Sequence, residues 1–286
     1  MTLQEQLADW LALRSGQLRP KTVERYSELI GHLEPLHQCE LEQLRPREIS
    51  RLLAGLCDKG HHRTAEQCFV MLKTALSEAV LMGDLDKSPM AAVKRPKYEA
   101  AEHAVWTPEE QHRFYLAALA DKRGLELLLG LFCGLRRGEI LGLTWEDVDL
   151  TGQVLHIRRQ LVRLKTGEEI ETPPKSKAGR RDVPIPDVLR RLLAARRQLS
   201  GRVSGLAAAG LYDALRRCER AAQVPHIGIH GLRHTMATNV IRSGGSMRTL
   251  QGLLGHSSFT LTARVYTHVD GVMRAAALAD AAMCVI

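Results

Sequence analysis

The chain has 286 residues, of which 45% are hydrophobic and 25% are charged, a size and composition typical of a two-domain globular protein. Its net charge of +8 arises after residue 100, because residues 1–100 contain 14 basic and 14 acidic residues whereas residues 101–286 contain 26 and 18. The most apolar run, residues 125–135, is far too short for a membrane span of roughly 20 residues, and six cysteines without a CxxC pair suggest neither a disulfide framework nor a zinc knuckle.

The first part of the chain is predicted to be a helical domain over residues 1–93. Apolar residues recur three or four positions apart, and prolines at 20 and 46 suit the first turn of a helix. We expect helices over residues 2–14, 20–37, 46–59 and 62–82. The N-terminal segment is acidic and amphipathic rather than basic and apolar, so we expect a cytoplasmic protein without a secretory signal.

Residues 94–106 are predicted to be a linker, because they contain Pro96 and few periodic apolar residues. A second domain over residues 107–286 then begins with Thr107, Pro108 and Glu110, which together suit a helix start. Strand-like alternation at residues 154–158 and 182–185 flanks a basic, turn-rich stretch. The expected fold is mainly α with a small β-sheet, with helices over residues 108–120, 123–143, 187–199, 205–222, 231–243, 247–254 and 272–283.

Two arginines in this second domain have the chemistry needed at a reacting phosphate. Cleavage of a phosphodiester places extra negative charge on the nonbridging oxygens, and a guanidinium group can bind two such oxygens at once. Arg136 and Arg233 are the candidates, and Glu139, three residues after Arg136, is expected on the same helix face, where it would orient that arginine. A single arginine would more simply be a solvated surface residue, so the assignment depends on the whole set of motifs.

His230 and Arg233 are three residues apart, so a helix would present both on one side, with His234 one position further round. Two alternatives remain open for the histidines. His230 and His234 have the spacing of a zinc-binding pair, although Gly231 and Leu232 stand where a metalloprotease would have its glutamate, and a third ligand is not evident. The second alternative is that both are helix residues without a special role.

Four segments, residues 134–140, 174–181, 230–235 and 254–268, closely resemble in order and content the tyrosine recombinase family, which includes phage integrases and enzymes that resolve chromosome dimers. The most specific signature is His230-x-x-Arg233-His234 followed by His256 and, ten residues later, Tyr266. The resemblance implies a two-domain DNA clamp, in which residues 1–93 form the core-DNA-binding domain and residues 107–286 the catalytic domain. It also implies site-specific cleavage and rejoining of duplex DNA.

The resemblance implies a role for each of six site residues. Tyr266 would attack a backbone phosphate to give a 3′-phosphotyrosine, and Lys175 would protonate the leaving 5′ oxygen. His230 would be a proton acceptor or a hydrogen-bond partner at the phosphate site, and His256 would be a second donor. Neither a metal nor ATP nor another cofactor is expected. Backbone phosphate contact is the better interpretation of the neighbouring basic residues Lys177, Arg180 and Arg181.

Duplex DNA is the expected partner, because the basic charge suits a polyanion and 4% aromatic residues are few for a protein that stacks single strands. A solubilising surface is the alternative explanation of the charge. The resemblance further implies a homotetramer on two DNA sites, with an accessory directionality or DNA-bending protein as a candidate partner. The apolar stripe in residues 270–286 would dock into a neighbouring protomer or pack on its own domain.

Two other functions remain open. The same motifs resemble those of type IB topoisomerases and hairpin telomere resolvases, which should have different flanking domains. A catalytically silent DNA-binding regulator on the same fold is the alternative from another class. Tyr266 and Lys175 weigh against that regulator, because neither residue is needed for binding alone.

Overall fold

The computed structural model describes residues 1–99, 104–174, 176–205 and 208–255. The chain divides into two compact units, one formed by Met1–Ala101 with Leu164–Gly167 and the other by Glu102–Arg163 with Glu168–Ile286. Each unit has an apolar core of its own. Within the described ranges, no helix is both long enough and apolar enough to cross a membrane.

The first unit contains the four predicted helices. Thr2 caps the first of them by accepting a hydrogen bond from the Glu5 amide at 3.2 Å. Buried leucines of these helices, together with Trp10, form the core of the unit. The helices are α1 (Leu3–Ser15), α2 (Pro20–Gly31), α3 (Pro46–Asp58) and α4 (His62–Met82).

The prediction that the second helix extends to residue 37 was wrong. Helix α2 ends at Gly31, and a short 3₁₀ turn follows at Glu34–Leu36. Pro35 accounts for the difference, since it has no amide hydrogen to donate to the preceding turn and disfavours α conformation in the residue before it.

The second unit is built around helix α6, an apolar segment of which all but one residue is buried. Helix α6 packs against α10, which begins at Gly228 rather than at the predicted residue 231, so that His230 lies in its first turn. The predicted helix start at Thr107 is confirmed, because the Thr107 hydroxyl and the Glu110 carboxylate cap each other's amides. The helices are α5 (Pro108–Ala120), α6 (Gly124–Cys133), α7 (Arg137–Gly142), α8 (Asp187–Ala195), α9 (Ala208–Ala222), α10 (Gly228–Arg242) and α11 (Met247–Leu254).

The prediction of one continuous helix over residues 123–143 was wrong. Gly134 adopts a left-handed conformation (φ +62°) that ends α6, and Arg136 is extended (φ −70°, ψ 155°) before α7 begins. Because Met236 and Leu254 pack closely around Gly134, a side chain at this position would have little room. The break places Arg136 at the N-terminus of a new helix.

The small sheet contains both predicted strands and one more. Strands β1 (Val148–Asp149), β2 (Val154–Ile157) and β5 (Arg181–Pro184) form an antiparallel sheet in the order β1-β2-β5. A separate hairpin pairs β3 (Gln160–Arg163) with β4 (Glu169–Thr172). The sequence did not predict this hairpin because Leu161 is its single buried residue, which leaves almost no apolar alternation to detect. The mainly helical fold class is confirmed, and the helix predicted over residues 272–283 lies outside the described residues.

Candidate active site

Arg233 is held rigidly inside the second unit. Its side chain projects from α10, is only 2% exposed, and donates from Nη1 to the Gly134 carbonyl and from Nη2 to the Leu254 carbonyl, both at 2.6 Å. Burial, and then the charge of Arg136, lower the pKa of Arg233 to about 9, an effect that Glu139 partly opposes. Each terminal nitrogen of a guanidinium carries two N–H groups, so each has a second donor for another acceptor.

Arg136 lies next to this group at the start of α7. Its amide donates to one oxygen of Glu139 at 2.8 Å, and its Nη1 donates to the other at 2.7 Å. Its Nη2 donates to the Gly255 carbonyl at 3.3 Å, and the side chain remains about one-third exposed. Glu139 therefore contacts Arg136 as predicted, but it does so as the capping residue of a helix that Arg136 precedes, not from the same helix face.

Glu139 also forms a buried pair with Arg181. Nη1 and Nη2 of Arg181 donate to the two carboxylate oxygens of Glu139 at 2.9 and 3.0 Å. Burial alone would raise the pKa of the Glu139 carboxyl, but the hydrogen bonds and charge of Arg181, and then the charge of Arg136, hold the pKa below its ordinary value. The carboxylate is therefore ionised at neutral pH and shared by two arginines.

The interpretation of Arg181 as a phosphate contact was wrong, because only 5% of its side chain is exposed. The alternation of strand β5 explains this placement. Arg181 and Val183 are two residues apart and both point into the unit, whereas Asp182 between them is exposed. The alternation of inward and outward residues along β5 could have predicted that Arg181 is buried. The many basic residues of the stretch favoured an exposed surface instead.

The last turn of α11 brings the three arginines together. A helix ends with carbonyls that lack a partner within the helix and that form the negative end of its dipole, so cations are favoured there. Three successive carbonyls are each bonded to a different guanidinium: Leu253 to Arg181 at 2.7 Å, Leu254 to Arg233 at 2.6 Å and Gly255 to Arg136 at 3.3 Å. The cationic centre is thus assembled at the end of the helix that leads, in sequence, to His256.

His230 is exposed on the first turn of α10, three residues before Arg233. Its ring meets that of His234 edge-on, with 4.7 Å between the ring centroids. Among the described residues, no group of three or more His, Cys, Asp or Glu side chains is placed to hold a metal ion. Within these residues, His230 and His234 therefore have no third side chain with which to bind zinc.

The structure places three of the six proposed site residues. Arg136, at the N-cap of α7, and Arg233, on α10, come together, and His230 lies on the same helix as Arg233. Lys175, His256 and Tyr266 lie outside the described residues.

Residues 107–271 match the family model of the phage integrase family. The chain belongs to this family. A tyrosine recombinase XerC of Pelobacter propionicus is 30% identical to this integrase-family chain over 78% of the chain and 74% of the relative. A XerC-like tyrosine recombinase of Caldanaerobacter subterraneus is 28% identical over 94% of the chain and 80% of the relative. The transposase of transposon Tn916 from Enterococcus faecalis is 31% identical, and the chain spans only about half of it (47%).

Solved integrase structures share the fold of this chain. The Tn1549 transposon integrase in complex with a circular intermediate DNA superposes with a TM-score of 0.82 at 20% identity, covering 98% of this chain and 99% of the other. The lambda integrase tetramer bound to a Holliday junction gives a TM-score of 0.67 at 23% identity, covering 91% and 79%. At these identities the likeness establishes the fold.

Gly255 lies where the end of α11 packs closely against the segment around Ala178 and Arg181. Its φ of +62° disfavours any side chain, and a Cβ atom there would lie 2.6 Å from the Ala178 carbonyl oxygen and 2.9 Å from Cδ of Arg181. We expect Gly255→Ala to lower the free energy of unfolding by about 2–4 kcal/mol, as the sum of backbone strain and steric overlap. Denaturant unfolding followed by circular dichroism would measure it.

Gly244 provides the matched control for this substitution. It also has a positive φ, of +81°, but a Cβ atom there meets nothing within 4 Å. Gly244→Ala should therefore cost only the left-handed backbone term, about 1–2 kcal/mol. Equal losses in the two variants would show that the packing around Gly255 is not tight.

Proposed function

We propose that this chain is a site-specific recombinase that cleaves and rejoins duplex DNA through a covalent bond to Tyr266. The observation that carries the proposal is the pair of guanidinium groups of Arg136 and Arg233, which come from the N-cap of α7 and from α10 and are anchored to adjacent carbonyls at the end of α11. Membership of the phage integrase family, with relatives named as recombinases and integrases, supports the same conclusion.

The two arginines form a preorganised site for a phosphate. Each donates to protein oxygens from both terminal nitrogens, and the second N–H of each nitrogen would donate to the nonbridging oxygens of the scissile phosphate. Donors that are already fixed need little reorganisation as negative charge grows in the transition state. His230, on the exposed first turn of α10, would add a further hydrogen bond to the phosphate.

The proposed chemistry proceeds without net loss of a high-energy bond. The phenolic oxygen of Tyr266 attacks the phosphorus and gives its proton to His230, the bond from phosphorus to the 5′ oxygen breaks, and Lys175 gives its proton to that oxygen. His256 donates a hydrogen bond to the same phosphate. The free 5′-hydroxyl of a partner strand then attacks the phosphotyrosine and returns its proton to Lys175, while His230 returns a proton to the released Tyr266 and the diester is restored. The phosphotyrosine conserves the bond energy, so no ATP is required, and the two guanidinium groups supply the charge stabilisation that a metal would otherwise give.

We also propose that four protomers act on two DNA sites in the cytoplasm, with an accessory directionality or DNA-bending protein as a further partner. The excess of basic residues after residue 100 suits a duplex DNA partner. The lambda integrase, which shares this fold, is described as a tetramer bound to a Holliday junction. Sedimentation of the protein with DNA would test the assembly, and a single protomer per site at saturation would contradict it.

Covalent trapping tests the proposed reaction. A binding site would first be selected from a random duplex library, and the protein would then be mixed with that duplex carrying a nick near each possible cleavage position. A nick lets the short strand beyond it diffuse away, so the protein remains attached to the DNA. We expect a product that withstands denaturing electrophoresis, and we expect it equally with and without a metal chelator.

Two results would contradict the proposal. Tight binding without any covalent product would instead favour the catalytically silent regulator. A covalent product that the chelator removes and added zinc or magnesium restores would show that a metal takes part in the reaction.

A further inference from the structure

Arg181 joins three segments, each of which carries a different part of the site. It begins strand β5, which follows the stretch containing Lys175. Its two terminal nitrogens hold the carboxylate of Glu139, which in turn holds Arg136. Its Nε donates to the Leu253 carbonyl at 2.7 Å, in the last turn of α11. A single side chain therefore links Glu139, and through it Arg136, to the helix that precedes His256.

The geometry of these contacts requires a guanidinium. Nε points to α11 while Nη1 and Nη2 form parallel bonds to both oxygens of one carboxylate, an arrangement that uses the rigid fork of arginine. A lysine would keep the charge, but its single nitrogen cannot donate in both directions at these positions. With 5% of the side chain exposed, Arg181 is not available to contact DNA itself.

We propose that Arg181 is a positioning residue for the cleavage step: it fixes the last turn of α11 against Glu139 and so sets the direction in which the chain leaves Gly255 toward His256 and Tyr266. This inference rests on the proposed function. The contact to Leu253 is the shortest that Arg181 makes, and it lies in the last turn of α11, where it ties that turn to Glu139. Its neighbouring carbonyls, those of Leu254 and Gly255, are the ones that anchor Arg233 and Arg136.

Arg181 also makes a longer hydrogen bond to the turn that follows Lys175. Its Nη1 donates to the Gly179 carbonyl at 3.2 Å, and Gly179 is in the turn that follows Lys175. If this contact dominated, Arg181 would act on the general acid rather than on the nucleophile. We assign the action of Arg181 to the placement of Tyr266, because its contact to α11 is 0.5 Å shorter than its contact to the turn that follows Lys175.

The test compares Arg181→Lys with Arg190→Lys, which makes the same change at a half-buried arginine of α8 whose partner is Asp187. With protein in excess over the nicked duplex, we expect Arg181→Lys to lower the rate constant for covalent complex formation by about 10- to 100-fold, as expected for a misplaced reacting group. The dissociation constant for the duplex and the final amount of complex should stay within about twofold of the parent protein. A fold defect would lower the concentration of active protein, so it would weaken the apparent affinity and leave the rate constant at saturating protein unchanged.

A substrate with sulfur in place of the bridging 5′ oxygen separates the two routes. A thiolate leaves without being protonated, so this substrate bypasses the general acid. We expect Arg181→Lys to be impaired by the same factor on the sulfur substrate as on the normal one. Recovery of the parent rate on the sulfur substrate would overturn the proposal in favour of the Lys175 turn.

A second pair of variants keeps the inference testable if Arg181→Lys does not fold. Arg181→Met removes the bond to α11 while the Glu139 carboxylate keeps Arg136 as its partner, and it would be compared with Arg190→Met. A lower rate constant in Arg181→Met than in Arg190→Met supports the proposal, and equal rate constants overturn it. Absence of covalent complex in the parent protein would instead overturn the proposed function, so the two failures are distinguishable.

Discussion

Replacing Tyr266 with phenylalanine is expected to abolish formation of the covalent complex while the affinity for duplex DNA stays unchanged. The substitution removes one oxygen, the atom proposed to attack the phosphorus, and leaves an aromatic ring of the same shape. Loss of a nucleophile without a substitute lowers the rate by at least about 10⁴-fold. The measurement is the denaturation-resistant complex on the nicked duplex, together with a binding titration on the same DNA.

Tyr115→Phe is the matched control for this prediction. Tyr115 is partly buried on α5 and its ring packs edge-on against Phe132, with 5.8 Å between the ring centroids. Removal of this hydroxyl should leave covalent complex formation as in the parent protein. If Tyr266→Phe still forms the complex, another residue is the nucleophile, and peptide mapping of the DNA-linked fragment would identify it.

Replacing Arg233 with alanine should lower the rate of covalent complex formation by about 10²- to 10⁴-fold, which corresponds to roughly 3 to 5 kcal/mol of transition-state stabilisation. The group removed is buried, oriented by the carbonyls of Gly134 and Leu254, and proposed to bind nonbridging oxygens whose negative charge grows during cleavage. The affinity for DNA should change little, because many other phosphates are contacted. Rates measured with protein in excess would test both statements.

Arg233→Lys distinguishes charge from geometry. A lysine keeps the charge but cannot reach both carbonyls, so we expect it to recover only a small part of the lost rate. Arg136→Ala should lower the rate of covalent complex formation to a similar extent. In the double variant of Arg136→Ala and Arg233→Ala, the loss should be smaller than the sum of the two single losses in free energy, because both groups are proposed to act on one phosphate. A rate within about threefold of the parent in Arg233→Ala would show that this arginine has only a structural role.

The electrostatics of the site are unfavourable until an anion binds. Three guanidinium groups surround the end of α11, and the one carboxylate that bonds to them among the described residues, that of Glu139, pairs with two of them, Arg136 and Arg181. Burial and the neighbouring charge of Arg136 accordingly depress the pKa of Arg233. Dipoles of three helix carbonyls offset part of this repulsion. The phosphate proposed to bind here would supply the missing negative charge.

The local features of this protein were predictable from its sequence. Helix starts at Thr107, Pro20 and Pro46 follow from capping and proline geometry, which involve only residues a few positions apart. The motifs around Arg136, His230 and Arg233 were recognisable because their spacing along the chain is short and regular. The mainly helical class followed from the same periodicities.

Only the tertiary structure decided how these parts combine. The sequence predicts one apolar helix over residues 123–143, but the helix ends at Gly134, around which Met236 and Leu254 pack. Arg136 then bonds to the end of α11. Arg181 is basic and stands in a basic stretch, so its burial depended on a carboxylate 42 residues away, that of Glu139. Sequence determines which residues are close along the chain, whereas the partners of a buried charge come from distant segments and are fixed only when the whole domain packs.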